Sequence, residues 1–226
     1  MVTTAELADA QGGMRTLVDK DLEEFFASLD LSKPEFARDA MLEQVPVIIG
    51  SYSAMSAAVA ADYYDELRYD AGIRDAYRAF LAASPYLSAI VPSVRRVAGA
   101  LWTDDPTQAL VGTQSFATKY ALAAGRETVR ANVAEDEDAY GYRRVARGKT
   151  CKFCLALVAR GAVYRKSTAF FAAHGHCDCA AVPNFDPDAP EVEAFAYTRS
   201  VRTTNMSPAA LERHRRETRL WIASLD

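Results

Sequence analysis

The stretch that decides the fold covers residues 47–70 and reads VIIGSYSAMSAAVAADYYDELRYD. Alanine recurs along its whole length, and alanine is the residue that favours the helix most. We predict a long helical segment over residues 47–80 that starts with this stretch. Its larger apolar members are Tyr52, Met55, Val59, Tyr63, Tyr64, Leu67 and Tyr69. A chain built around such a segment is expected to be mainly α-helical.

Helical patterns continue on both sides of this stretch. A first helix is predicted over residues 4–29, where apolar side chains recur at three- and four-residue steps. A second helix is predicted to begin at Pro34, which suits a first helical position, and to end before Pro46. Another is expected to begin near Pro106 and to run through Val133, and a last helix to begin at Pro208 with Ser207 as its N-cap.

The character of the sequence changes near residue 135, where an acidic run is followed by short patterns typical of strands. We predict strands at Tyr140–Val145, Ala162–Tyr164 and Ala180–Pro183. The predicted fold class is therefore mainly α-helical (α+β). Its three parts are a helical body over residues 1–135, a small zinc-stabilised module with β-strands over 136–186, and a linker with a C-terminal helix over 187–226.

Composition is that of an ordinary globular protein, with 50% hydrophobic and 25% charged residues. The formal net charge of −4 argues against a protein that coats nucleic acid with its whole surface. We see no apolar run of about 18 residues, so no membrane span is expected. Glu6 and Asp9 stand where a signal peptide would carry positive charge. We expect a protein that is made in a reducing cytoplasm, where clustered cysteines more often bind metal than form disulfides.

The four cysteines are clustered as Cys151-x2-Cys154 and Cys177-x-Cys179, and His174 precedes the second pair. A tetrahedral zinc ion takes about four soft ligands from two short turns, which is the pattern seen here. We predict a structural zinc ion bound by Cys151, Cys154 and Cys179, with either Cys177 or His174 as fourth ligand. The sequence leaves these two alternatives open.

Other interpretations of the cysteines are possible in principle. They could be small buried apolar residues, or they could form disulfides after oxidation. A redox Cys-x-x-Cys normally begins a helix after a strand in a βαβ unit, and two further cysteines would then be superfluous. A catalytic zinc would need an open coordination position and a nearby acid or base, but residues 139–177 contain no Asp or Glu. We therefore expect that the protein is not an enzyme and has no small-molecule substrate.

The same acid-free interval is rich in basic residues. A set of them could contact a nucleic-acid backbone or another anionic partner: Arg143, Arg144, Lys149, Lys152 and Arg165. They could equally form a solvated face that offsets the charge of metal-bound thiolates. A second charged patch, near Asp65 and Arg68, is interpreted as an interhelical packing surface in which these two residues pair at i,i+3.

Three segments carry a family resemblance. Residues 151–157, residues 160–164 and the stretch HGHCDCAAVP at 174–183 resemble the Mu F-like minor head proteins of tailed phages, in the actinobacterial-phage form. His174, Cys177 and Cys179 match the His-x-x-Cys-x-Cys of that group, and residues 42–68 resemble its N-terminal half. The chain departs from many relatives by having His-Gly-His before the cysteine. This departure leaves open whether His174 binds the metal or supports a ligand.

The resemblance implies a minor capsid protein with a role in head morphogenesis. The implied partners are the portal and major capsid proteins, with packaged DNA as a further partner if the basic face binds it. The implied location is the capsid interior of the virion, after assembly in the host cytoplasm. Neither catalysis nor a membrane partner is implied. The alternative hypothesis is a nucleic-acid-binding zinc module whose basic face contacts packaged DNA.

Overall fold

The computed structural model describes residues 4–145, 158, 179–189 and 206–223. Its helices are α1 (Thr4–Ala27), α2 (Pro34–Asp70), α3 (Ile90–Ala98), α4 (Gln108–Ala121), α5 (Ala123–Glu135) and α6 (Pro208–Ala223). Short 3-10 turns at Leu87–Ala89 and Gly99–Trp102 flank α3, and two strands, β1 (Gly141–Val145) and β2 (Ala180–Asn184), form a sheet. The mainly helical prediction with a small β region is confirmed, whereas its zinc module stays a prediction and the third predicted strand, 162–164, lies outside the described residues.

Helix α2 is the centre of the fold, because α1, α3, α4 and α5 all pack against it. The main core lies between its first half and the helices α1, α3 and α4. Fully buried side chains fill this core: Val18, Leu22, Met41, Val45, Ile49 and Val94. Burying each such side chain stabilises the fold by about 1.5–3 kcal/mol, so this contact surface decides the arrangement of the helices.

The prediction that a helix ends before Pro46 is wrong, since α2 runs through this residue without a break. Proline removes one backbone hydrogen bond and clashes with the preceding turn, which costs about 3 kcal/mol in an isolated helix. Here Val45 and Ile49, on either side of Pro46, are fully buried in the main core. The packing of both flanking turns outweighs the local cost of the proline.

The prediction that this helical segment continues to residue 80 is also wrong, because α2 ends at Asp70. Gly72 adopts a left-handed conformation with φ +85°. The Gly72 N–H donates to the Tyr69 carbonyl at 3.1 Å and the Ile73 N–H donates to the Arg68 carbonyl at 3.1 Å. These two bonds form a Schellman motif, which ends a helix at glycine. The following chain, to residue 84, contains no helix or strand and bonds to α5 through Asn132 and Thr128.

The single helix predicted from Pro106 to Val133 is two helices, α4 and α5, which meet at Leu122. Leu122 is fully buried, and backbone bonds from Leu122 N–H to the Thr118 carbonyl and from Arg126 N–H to the Leu122 carbonyl span the junction. Helix α3 was not predicted, because Pro85 and Pro92 were interpreted as interruptions of the chain; Pro92 lies in the first turn of α3. Helix α6 begins as expected, since the Ser207 hydroxyl accepts the Ala210 N–H at 3.3 Å.

The two predicted strands that the structure describes pair with each other and pack on the helical body. β1 and β2 are antiparallel, with Val145 opposite Ala180 and Gly141 opposite Asn184. A second core joins this sheet to α2 and α5, and its buried members are Ala60, Tyr64, Val129, Val133, Ala139, Tyr142 and Ala181. The sheet therefore shares its apolar face with the helices.

By length and composition, α2 could cross a membrane. In the fold, 44% of its most apolar window is buried inside the protein, and four helices surround it. Those contacts are the ones that a core helix makes.

Close approach of α2 and α5 depends on Gly125. A Cβ at this position would lie 2.5 Å from the Ser56 Oγ and 2.6 Å from the Ser56 carbonyl oxygen. We expect Gly125→Ala to lower the free energy of unfolding by about 1–3 kcal/mol, since the helices must move apart. Gly13→Ala is the control, because no atom lies within 4 Å of its Cβ position and alanine favours the helix there. In urea denaturation, the change in the free energy of unfolding should have opposite signs for the two variants. Equal changes would contradict the steric explanation.

Candidate functional site

Strand pairing places both ends of the cysteine–histidine segment, residues 146–178, next to each other. The segment leaves the sheet after Val145 and returns just before Cys179 and Ala180, and Val145 and Ala180 are partners in the antiparallel register. Directly opposed Cα atoms in such a pair lie about 4.5–5.5 Å apart. Both ends of the segment are thus fixed on neighbouring strands of the sheet.

Cys179 is the predicted zinc ligand that the structure describes, and it is fully buried. Its carbonyl oxygen accepts a hydrogen bond of 2.7 Å from Nε of Arg126 on α5. Protein ligands take all four coordination positions of a structural zinc ion, and a buried cysteine is compatible with such a site. The other predicted ligands, Cys151, Cys154, His174 and Cys177, lie outside the described residues. Within the part of the chain that is described, no group of His, Cys, Asp and Glu side chains is arranged to hold a metal ion, and the ligand set stays a prediction.

The predicted basic face divides at β1, where successive side chains point to opposite sides of the sheet. Arg143 is exposed, and one of its guanidinium nitrogens donates to Thr4 Oγ1 at 3.3 Å. Arg144 is only 3% exposed. Of this pair, Arg143 is the residue that an external phosphate can reach. Lys149, Lys152 and Arg165 lie outside the described residues.

The most extensive polar cluster in the described residues surrounds Arg68, near the end of α2. Its guanidinium donates to both carboxylate oxygens of Asp136, at 2.7 and 3.0 Å. It also donates to Asp75, at 2.7 and 3.0 Å, and to Asp138 at 3.2 Å. The predicted pairing of Asp65 with Arg68 is wrong: Asp65 instead accepts the Ala79 N–H at 2.9 Å. Arg68 thus binds the loop after α2 and the turn before β1 to the helical body.

Two aromatic residues complete this Arg68 cluster. The hydroxyl of Tyr64 donates to Asp136 at 2.8 Å, and the ring of Tyr77 lies 4.8 Å from the guanidinium carbon of Arg68. The Tyr77 hydroxyl donates to the side-chain oxygen of Asn132 at 2.8 Å. The cluster therefore connects α2 and α5 to the loop that follows α2 and to the turn that precedes β1.

Electrostatics of the cluster follow from burial and from the charge of Arg68. Burial alone would raise the pKa of Asp136, but hydrogen bonds from Arg68, Tyr64 and the Asp138 N–H hold that pKa below its ordinary value. Hydrogen bonds from Arg68 lower the pKa of Asp75, while the neighbouring Asp75 raises the pKa of Asp138. Burial raises the pKa of Tyr77 to about 12. At neutral pH the cluster is a set of ion pairs.

A cleft of about 560 Å³ opens beside the cluster, lined by residues of the α2 end and the following loop. The donors of Arg68 are bonded to three carboxylates of the chain itself, of which Asp136 is buried, so they are not offered to a ligand in this cleft. Arg74, at the rim, lies over the ring of Tyr69 at 3.8 Å and bonds the carbonyl oxygens of Tyr69 and Ile73. Its contacts cap the end of α2. We interpret the cluster as a structural connection.

A model of the VG15 protein family matches residues 2–201, which include the helical body, the sheet and the cysteine–histidine segment. The chain belongs to the VG15 protein family. Membership in this viral gene family identifies it as a phage protein and indicates a structural or morphogenesis role in association with the virion. No curated protein and no solved structure matches the chain. Helix α6 lies beyond the residues that the family model matches.

Sequence reasoning missed the Arg68 cluster and the burial of Arg126 and Arg144. One signal for Arg68 was available, since Arg68 follows Tyr64 by one helical turn and so lies on the same apolar face of α2. A charged residue on a buried face needs an ionic partner. Its main partner, Asp136, is 68 residues away, and no local pattern identifies such a pair.

Proposed function

We propose that this phage protein is a non-enzymatic minor capsid protein of the Mu F-like type, with a role in head morphogenesis. Its location would be the capsid interior, in association with the portal. The observation that best supports this proposal is the family match, which spans the helical body and the cysteine–histidine segment together. The sequence resemblance to minor head proteins lies in the same two regions.

A structural zinc ion in the cysteine–histidine segment is part of the proposal. Cys151, Cys154 and Cys179 would bind it, with Cys177 or His174 as fourth ligand. When bound, zinc would supply the folding free energy that a short segment cannot obtain from a core of its own. Support comes from the burial of Cys179 and from the pairing of Val145 with Ala180, which brings the ends of the segment together.

The helical body would then present its outer surface to the portal or the shell. The Arg68 cluster supports a structural role over a catalytic one, because its charged groups are bonded to one another. Attachment of the sheet to α2 and α5 through a shared core suits a component that must keep its shape during assembly.

Metal analysis of the purified full-length protein tests the zinc proposal. We expect about one zinc per chain and thiols that react only after chelation, because a closed site protects its thiolates. Elemental analysis and thiol titration before and after chelation measure both. Zinc-free protein with four reactive thiols would overturn the zinc site.

Purified virions should contain the protein at a few copies relative to the portal; its absence from virions would overturn the head-protein assignment.

The alternative, a module that contacts packaged DNA, is favoured by one observation, the exposure of Arg143 on β1. DNA binding by the purified protein would weaken steeply with added salt, because each neutralised phosphate releases counterions. If the purified protein does not bind DNA at low salt, the DNA-binding alternative is excluded and the structural role is the proposal that remains.

A further inference from the structure

Helix α2 has an apolar face that the other described elements leave exposed. Residues 44–61 contain no charged side chain, and one side of this stretch packs into the two cores. Its other side presents exposed residues to solvent, namely Val47, Ser51, Ala54 and Met55. Phe36, near the start of the same helix, is 74% exposed, more than any other large hydrophobic side chain in the described residues. An exposed apolar face bounded by charged residues is typical of an interaction surface.

The exposed and half-buried positions form one row along α2. In an α-helix, positions three and four apart lie on the same side. Steps of four and three residues connect the members of this α2 row, which are Phe36, Ala40, Glu43, Val47, Ser51, Ala54 and Ala58. The row is about 33 Å long. Beside it, no atom lies within 4 Å of the Cβ position of Gly50, so another helix has room to approach.

The α2 row is complementary to a second copy of itself. When two α2 helices run antiparallel with Val47 on the two-fold axis, residues at equal distances on either side of Val47 face each other. The facing pairs are Val47 with itself, Phe36 with Ala58, Ala40 with Ala54, and Glu43 with Ser51. The large ring of Phe36 thus meets a small side chain, which is how facing helices interdigitate. The carboxylate of Glu43 meets a hydroxyl group.

Charges at the ends of the row favour the same arrangement. Asp62 is exposed, and it lies as far beyond Val47 as the N-terminus of α2 lies before it. In the antiparallel pair, each Asp62 therefore faces the N-terminus of the other α2, where the helix dipole attracts a carboxylate. Lys33, the N-cap residue, adds a full positive charge there and its side chain is 63% exposed. Glu35 follows a different side of the helix, about 100° away from Phe36. A parallel pair would instead place Asp62 beside Asp62.

We propose that the α2 row is the contact surface between two copies of this protein, which pair as a two-fold symmetric, antiparallel dimer. Apolar exposure supplies the attraction, the alternation of large and small side chains sets the register, and the end charges set the direction. The inference goes beyond the proposed role in the phage head and does not depend on a zinc ion.

Light scattering of the full-length protein over a range of concentrations gives the first test. The molar mass should rise from 24.7 kDa towards twice that value as concentration increases. A monomer at every concentration would overturn the dimer and assign the exposed face to a different partner. It would leave the head-protein proposal unaffected, since that proposal is tested by the content of virions.

Val47→Arg tests the position of the contact. It places two arginines opposite each other on the two-fold axis, and we expect association to weaken by about 100-fold or more. Val111→Arg is the matched control, because Val111 is 53% exposed on α4, close to the 58% of Val47, and lies outside the row. Unchanged association of Val47→Arg, or an equal loss in both variants, would overturn the assignment to α2.

A mixture of two variants tests the two-fold register. Val47→Arg and Val47→Glu should each be monomeric alone and should form a mixed dimer together, because position 47 faces position 47. Failure of the mixture to associate would overturn this register. If Val47→Arg does not fold, Ser51 decides, since it faces Glu43 of the second copy: Ser51→Glu should weaken association and Ser51→Lys should strengthen it. Changes in the same direction would overturn the pairing.

Discussion

Replacement of Arg68 by methionine is expected to lower the free energy of unfolding by about 3–5 kcal/mol, because it breaks a buried ion pair by removing one partner. The side chain is 3% exposed, and it donates two hydrogen bonds to Asp136, which is 1% exposed. Methionine fills similar volume but leaves this buried carboxylate without its cation. Urea denaturation of both proteins at neutral pH measures the loss.

Arg74→Met is the control for this experiment. Arg74 belongs to the same cleft but is exposed, and it contacts the ring of Tyr69 and two backbone carbonyl oxygens. An exposed cation–π contact contributes about 0.5–1 kcal/mol. Similar losses for both variants would mean that burial of the Arg68–Asp136 pair does not set the size of the effect.

A change of pH separates loss of charge compensation from loss of packing. In the wild type, the pKa of Asp136 is lower than the unfolded value of about 3.9, so its contribution to stability exists above that pH and is lost as pH falls through the folded pKa. In Arg68→Met we expect the folded pKa of Asp136 to exceed the unfolded value, and stability is then lost as pH rises through it. The difference in stability between the two proteins should therefore shrink from pH 7 towards pH 4. A difference that does not vary with pH would assign the loss to packing.

Tyr142→Ala is expected to cost about 3–5 kcal/mol, the usual range for removal of a large buried aromatic side chain. Tyr142 is 1% exposed on β1 and packs in the second core with Tyr64, Val129 and Val133. Because that core belongs to helices and sheet together, the helical signal and the sheet should be lost in one transition. Circular dichroism during denaturation follows the helices, and hydrogen exchange of the strand amides follows the sheet.

Tyr140→Ala provides the comparison within the same chain segment. Tyr140 is 52% exposed, and its replacement should change stability by no more than about 0.5 kcal/mol. If Tyr142→Ala removes protection from the strands while the helices unfold as in the wild type, the sheet is an independent unit.

Local signals in the sequence were sufficient for α1, for both paired strands and for α6. Each of these elements has its own apolar period or its own cap, such as Ser207. At Pro46 the local signal predicts the wrong structure, because the cost of proline in the helix is outweighed by contacts of Val45 and Ile49 with other helices. The end of α2 depends on Gly72, whose left-handed conformation becomes evident only with the surrounding backbone.

The sequence predicts the chemistry of the candidate site, but not the residues of the helical body that surround it. The spacing of cysteines and histidine suggests metal binding wherever the segment lies. That Cys179 is held by Arg126, 53 residues earlier, depends on how α5 packs against β2, and this is long-range information. The same holds for Arg144, which alternation along β1 turns inward while Arg143 faces out.

Pairing of Val145 with Ala180 has a consequence for how such proteins can diverge. Both ends of the cysteine–histidine segment are fixed on neighbouring strands. The entropic cost of closing a loop between two fixed points grows only with the logarithm of the number of residues in it. Insertions or exchanges between these two points would leave the spacing of the ends intact. We therefore expect the helical body to keep its fold when this segment is lengthened or shortened.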